Sequence, residues 1–167
     1  MFVITDLVNQ LAAWLGTTSA NAFMQDNYWI VPIVQSVHIL CISILFASMA
    51  MLDLRMLGLA GTHQSLGDMG RRFLPWTWWA LVVLVITGAF LTASEPLREL
   101  QSFYFGIKMI MLVCVGVITL LFHVVLMNNP SFWERNGGAA KLVGAVSLAL
   151  WVAIVICGRW IAYGAHG

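Results

Sequence analysis

The chain has 167 residues, 61% of them hydrophobic and 9% charged, with a formal net charge of +1 and a mean hydropathy of +0.91. Soluble domains carry about 25% charged residues, so this composition excludes a water-soluble globule, and the lack of any basic tract excludes nucleic acid as a partner. At about 20 residues per crossing, the length fits one all-α unit of four membrane-spanning helices with short connections.

Residues 2–15 read as an amphipathic helix. Phe2, Val3, Leu7, Leu11, Trp14 and Leu15 share one broad face, and Thr5, Asn9 and Gln10 lie away from it. The segment is too short to span. Two placements suit it: lying in the interface with its apolar face in the acyl boundary, or packing on the end of a bundle. No Lys or Arg precedes Arg55, so the segment is not a secretory signal and is expected to stay in the mature protein. With the polar connection at 16–28 it forms an N-terminal unit, 1–28, ahead of a membrane unit, 29–167.

The first crossing is predicted at about 29–52, with Pro32 in its first turn, where a missing N–H costs little. The second runs over about 75–92 with Pro75 at its start, the third over about 105–127 and the fourth over about 142–161. A glycine-containing loop with His63, the acidic stretch SEPLREL and the turn-rich NNPSFWERNGG join them. Loops this short predict an up-down four-helix bundle.

Arg55, Arg71, Arg72, Arg135 and Lys141 fall in the two loops of one side, against Arg98, with Lys108 and Arg159 near the edge, on the other. The positive-inside rule then predicts a bacterial inner-membrane protein with both termini in the periplasm. Aromatic residues fit two interfacial belts: Tyr28, Trp29, Phe103, Tyr104, Trp160 and Tyr163 outside, and Phe73, Trp76, Trp78, Trp79, Phe132 and Trp133 inside.

Helical spacing gives each crossing an inward stripe. The stripes are Gln35, His38, Ile42, Leu45, Met49 and Asp53; Thr77, Leu81, Leu84, Gly88 and Thr92; Lys108, Leu112, Gly116, Thr119 and His123; and Gly144, Ser147, Trp151, Ile154 and Gly158. Ser36, Ser43, Ala47 and Ala50 form a second, small-residue face expected to serve close helix contact. Asp53 and Arg55 are expected to pair at the interface, and Lys108 and Arg159 to reach headgroups or pair with Glu95 and Glu99. Cys41, Cys114 and Cys157 have no paired spacing and read as small buried hydrophobes.

Ionisable residues at membrane depth point to function. Histidines facing each other inside a bundle are the usual ligands of b-type haem, which makes His38 and His123 the ligand candidates. Glycines at 88, 116 and 158 would let a flat macrocycle approach the backbone. The alternative is that both are core histidines fixing helix register with Gln35 or Thr119. The two differ in depth by about 10 Å or more at 1.5 Å per residue, too far for one iron. A two-haem arrangement would add His166 to His38 and His63 to His123, making these two the weaker metal candidates. Met49, Met56, Met109 and Met127 are alternative ligands. Lys108, Arg159 and Trp160 form a candidate quinone or lipid-headgroup site. No hydrolase or nucleotide-binding motif is present.

The segments MLDLRMLGL, RRFLPWTWW, ITGAFLTAS, FYFGIKMIML, LFHVVL and SLALWVAIVICGRWIAY resemble an uncharacterised family of small four-helix bacterial inner-membrane proteins, over most of the chain after about residue 28. The resemblance implies that His38, Asp53, Arg55, Lys108, His123 and Arg159 belong to the family pattern, with His63 and His166 outside it. A looser fold-level likeness links the chain to cytochrome b-type and copper-resistance membrane proteins. The expected function is therefore a b-type haem or quinone-linked electron-transfer subunit of a larger membrane complex. The alternatives are a non-catalytic accessory subunit and a small copper-handling protein using imidazole and sulfur.

Overall fold

The computed structural model describes residues 2–129 and 131–163, with the backbone alone at 2–5, 20, 162 and 163. His166 and the side chain of Tyr163 lie outside the described residues. The regular structure of the described residues is all helical: α1 (Phe2–Gly16), α2 (Ser19–Asp26), α3 (Ile30–Leu57), α4 (Leu66–Ser94), α5 (Pro96–Leu100), α6 (Phe103–Asn128), α7 (Phe132–Arg135) and α8 (Gly137–Tyr163). Four of them, α3, α4, α6 and α8, are long and apolar enough to cross a membrane. They alternate in direction. The main contacts run α4 to α3, α3 to α8 and α8 to α6, and the α4–α6 seam is the most lightly packed side of the ring. One end of the bundle carries α1, α2 and α5; the other carries α7 and the 58–65 turn.

The outward surface of these helices is apolar. Ile33, Leu40, Val85, Ile110, Val113 and Leu142, for example, are all well exposed. Water would make that surface a large penalty, whereas acyl chains make it neutral, so the fold is that of a multi-pass membrane protein. The dense core lies in the α7 half, where Leu45, Met49, Leu52 and Met56 of α3 meet Leu66, Met69 and Leu74 of α4, Phe122 and Leu126 of α6, and Trp151 of α8.

Three sequence expectations about the helices and their contacts change. Pro75 does not start the second crossing. It lies inside α4, which begins nine residues earlier. Ser65 caps that start by accepting from the Asp68 N–H at 3.0 Å, and Glu134 Oε1 accepts from the Leu66 N–H at 3.2 Å. With its first donors satisfied from outside, the polar stretch LGDMGRRFL stays helical. The small-residue face of α3 is not a helix contact either. Ser36, Ser43 and Ala47 are exposed, and the two hydroxyls donate to Pro32 O and Ile39 O one turn back. The close approach is instead made by α8, where Gly144 lies against Asp53 and Met56 of α3. Thirdly, the connection at 16–28 contains α2, whose Asn21 and Gln25 amides donate to Ala93 O and Ser94 O and so cap the end of α4.

Helix α1 packs against α5. Asn9 Oδ1 accepts from Gln101 Nε2 at 3.0 Å and Ala12 is buried, while Leu7, Leu11 and Trp14 remain uncovered. Of the two placements read from the sequence, the structure shows the docking of one face on the bundle end, with the apolar face uncovered. Trp133, assigned above to an interfacial belt, is buried against Phe122, with ring centroids 5.5 Å apart. Cys114 faces outward rather than inward, and Cys41 and Cys157 are half-buried.

Helix α3 ends in a left-handed turn at Gly58, φ 77°, whose N–H donates to Arg55 O. A Cβ there would meet nothing within 4 Å, so the only cost of a side chain is conformational. Gly58→Ala is expected to destabilise the protein by about 1 kcal/mol, read as a lowered unfolding midpoint in detergent with the folded spectrum unchanged.

Candidate functional site

Both membrane histidines turn toward α4, and they do so with opposite hydrogen-bond polarity. His38 Nδ1 lies 2.7 Å from Thr87 Oγ1. The Thr87 hydroxyl has one proton, and it goes to Val83 O at 2.7 Å. With that proton on Val83 O, Thr87 accepts from the ring, and a neutral His38 then holds its proton on Nδ1 and its lone pair at Nε2. His123 is the reverse. Trp78 Nε1, which can only donate, lies 2.9 Å from His123 Nδ1. Neutral His123 therefore holds its proton on Nε2, and its only lone pair is already taken by the indole. The Trp78 and His123 rings also pack together, with centroids 5.9 Å apart.

The two sites are separate. Their anchors on α4, Trp78 and Thr87, are nine residues apart, or about 13 Å along the helix. This agrees with the depth difference read from the sequence and keeps the histidines from sharing one iron. The partners are not those expected. Gln35 is exposed, and Thr119 lies on the same helix as His123. The sequence reading missed Thr87 and Trp78 because it assigned facing residues by stripe, without the relative rotation of α3, α4 and α6.

The His38 level is the richer one. His38, Thr87, Lys108 and Cys157 sit five to eight residues from the α5 end of α3, α4, α6 and α8 respectively, so all four helices meet at one depth. Lys108 lies within electrostatic range of His38, of Cys157 and of Glu99 on α5. Burial pushes the Glu99 carboxyl above its ordinary range, and Lys108 and Arg98 oppose that shift. Arg98 forms a salt bridge with Glu95, and Lys108 lies within electrostatic range of Glu99. Gly88 has His38 Cε1 as its one near neighbour, 3.5 Å from where a Cβ would stand, and Gly116 and Gly158 have open space there. At the edge of this level, Trp160 stacks on Tyr104 at 6.0 Å, one helical turn from Lys108, and Arg159 is exposed beside it.

The other candidates lie elsewhere. His63 is exposed and lines an open groove of about 510 Å³ with Arg55, Glu134 and Lys141 at the α7 end, whereas His123 faces Trp78. Asp53 and Arg55 do not pair. Asp53 is 2% exposed, and Arg55 Nε donates to Gln64 O at 2.8 Å. Among the described residues no group of three His, Cys, Asp or Glu side chains converges as a metal site. Met49 Sδ is instead engaged by the Thr77 hydroxyl at 3.7 Å.

These features define a multi-pass membrane protein of the four-helix type, with a polar level near one end of an otherwise apolar bundle. The chain belongs to a family of unknown function, DUF6644, whose model matches residues 14–164. No curated protein and no solved structure matches it.

Proposed function

We propose that the protein is a b-type haem-binding subunit of a membrane electron-transfer complex, with His38 as the axial ligand and the α5 half of the bundle as the cofactor site. The observation that carries this reading is the 2.7 Å contact of His38 Nδ1 with Thr87 Oγ1, which in the neutral ring leaves Nε2 available as a ligand. A ligating histidine is commonly oriented in just this way, its other nitrogen donating to an oxygen. Haem, when bound, supplies a one-electron iron couple. The chain's own residues orient the imidazole through Thr87, leave room at Gly88 and place Lys108 within electrostatic range of Glu99. A quinone head would use the same cation with Tyr104 and Trp160 at the edge of the level. The more basic α7 end, with Arg55, Arg71, Arg72, Arg135 and Lys141, faces the cytoplasm of a bacterial cell, which leaves both termini periplasmic.

The test is a reduced-minus-oxidised absorption spectrum of detergent-purified protein produced with haem supplementation. The expected result is a sharp α-band from stoichiometric haem. A flat spectrum from folded protein, with the same result when membranes are examined without purification, sinks the reading. One observation favours a second reading. Both histidines already have a hydrogen-bond partner on α4, as they would in a non-catalytic accessory subunit whose histidines only hold the bundle in register. That reading expects colourless membranes and purified protein, with His→Ala changes costing stability alone.

A further inference from the structure

The α7 half contains a second polar cluster, distinct from the His38 level. Asp53 of α3, Thr119 of α6 and Ser147 of α8 are 2%, 4% and 2% exposed. Asp53 Oδ2, Thr119 Oγ1 and Ser147 Oγ each lack a hydrogen-bond partner. Ser147 lies beside the carboxyl, yet the two make no bond of standard geometry. All three residues line one small cavity of about 10 Å³ whose remaining wall is apolar, including Phe122 and Val143. A void of that size has room for about one water-sized sphere.

These unpartnered oxygens come from three helices that line one small space, and a polar occupant would restore the hydration that buried polar atoms lose when left bare. The charge on Asp53 selects among occupants. An ionised carboxylate at this depth needs a positive partner; Asp53 Oδ2 has no hydrogen-bond partner, and Arg55, two residues on, is turned to Gln64 O. The donors are hard oxygens, which suit alkali and alkaline-earth cations rather than soft metals. One carboxylate matches a single positive charge, and a one-sphere void suits Na⁺ better than the larger K⁺.

We propose that Asp53, Thr119 and Ser147 form a sodium-ion site joining α3, α6 and α8 near the α7 end of the bundle. The ion neutralises Asp53 and ties three helices together through oxygen ligands. The site is independent of any cofactor at His38.

The test is thermal unfolding of the full chain in detergent, titrated with NaCl while choline chloride holds ionic strength constant, with KCl as a parallel series. A ligand that binds only the folded state raises the midpoint in a concentration-dependent way. The expected result is a Na⁺-specific rise in Tm, absent in Asp53→Asn and shifted to at least about tenfold higher Na⁺ in Ser147→Ala, a change of about 1.4 kcal/mol in affinity. If Asp53→Asn does not fold, Ser147→Ala and Thr119→Val decide the matter, because each removes one oxygen at nearly constant shape. Equal midpoints in Na⁺ and choline overturn the proposal and leave the cavity to a water beside a protonated Asp53. A sodium response that persists unchanged in Ser147→Ala and Thr119→Val overturns it as well.

Discussion

Gly144→Leu is expected to abolish the folded bundle, while Gly106→Leu, also in a membrane helix, is expected to be tolerated. A Cβ at Gly144 would stand 3.0 Å from Asp53 O and 3.0 Å from Met56 Cβ. Neither atom can swing aside, since one is backbone and the other is fixed to it. Helices α3 and α8 would have to separate along a main contact of the ring. Overpacking of a tight core costs about 1–3 kcal/mol and sometimes more, and a leucine at a backbone-to-backbone contact belongs at the upper end. Stabilities of about 5–15 kcal/mol leave little reserve for such a loss. At Gly106 the same atom meets nothing within 4 Å, and glycine is a poorer helix former than alanine by about 0.8–1.0 kcal/mol, with leucine ranked close behind alanine. Size-exclusion profiles and unfolding midpoints in detergent compare the two. Equal stability for both variants would mean that α3 and α8 do not approach as closely as these distances state.

Under the haem-binding function proposed above, His38→Ala is expected to remove all bound haem, and His123→Ala to keep it at the cost of stability. The contrast follows from the two tautomers. The Nε2 lone pair of His38 is free because Thr87 takes the Nδ1 proton, so the alanine variant has no ligand to offer. His123 uses its lone pair on Trp78. Truncating it strands a half-buried indole N–H, which costs about 1–3 kcal/mol, but leaves the His38 level untouched about 13 Å away along α4. Thr87→Val tests the orienting bond. It keeps the shape and removes the acceptor, so the ring is free to turn and exchange tautomers. An intermediate haem occupancy is expected, with a shifted reduction potential. Absorption spectra and pyridine haemochrome counts on the three variants decide this. Loss of haem in His123→Ala at full folding would place the ligand in the wrong half of the bundle.

The four crossings were legible because their signal is mean hydropathy over a long window, which needs no partner. Helix ends were less legible. The start of α4 at Leu66 depends on Glu134, sixty-eight residues away in sequence, accepting from its first N–H, and no local pattern around Pro75 reveals that. The inward stripe of α8 holds over Gly144, Ser147, Trp151 and Ile154, which are buried, and lapses at Gly158, which is half-buried. The stripe of α3 held only from Leu45 onward, because the α5 half of that helix has no dense core against it and leaves Gln35 exposed.

Composition and hydropathy by themselves determined that this chain crosses a membrane as four helices with ionisable residues at depth, since burial in lipid is a property each segment satisfies alone. Only the tertiary structure decided what those residues meet. Two histidines that look equivalent along the chain became a ring with an open lone pair and a ring with a filled one. An aspartate expected to pair with Arg55 became part of an oxygen cluster from three helices. The reason is physical: hydrogen-bond polarity and unpartnered oxygens depend on the rotation and offset of neighbouring helices. Those are set by backbone contacts such as the one at Gly144, which no single segment encodes.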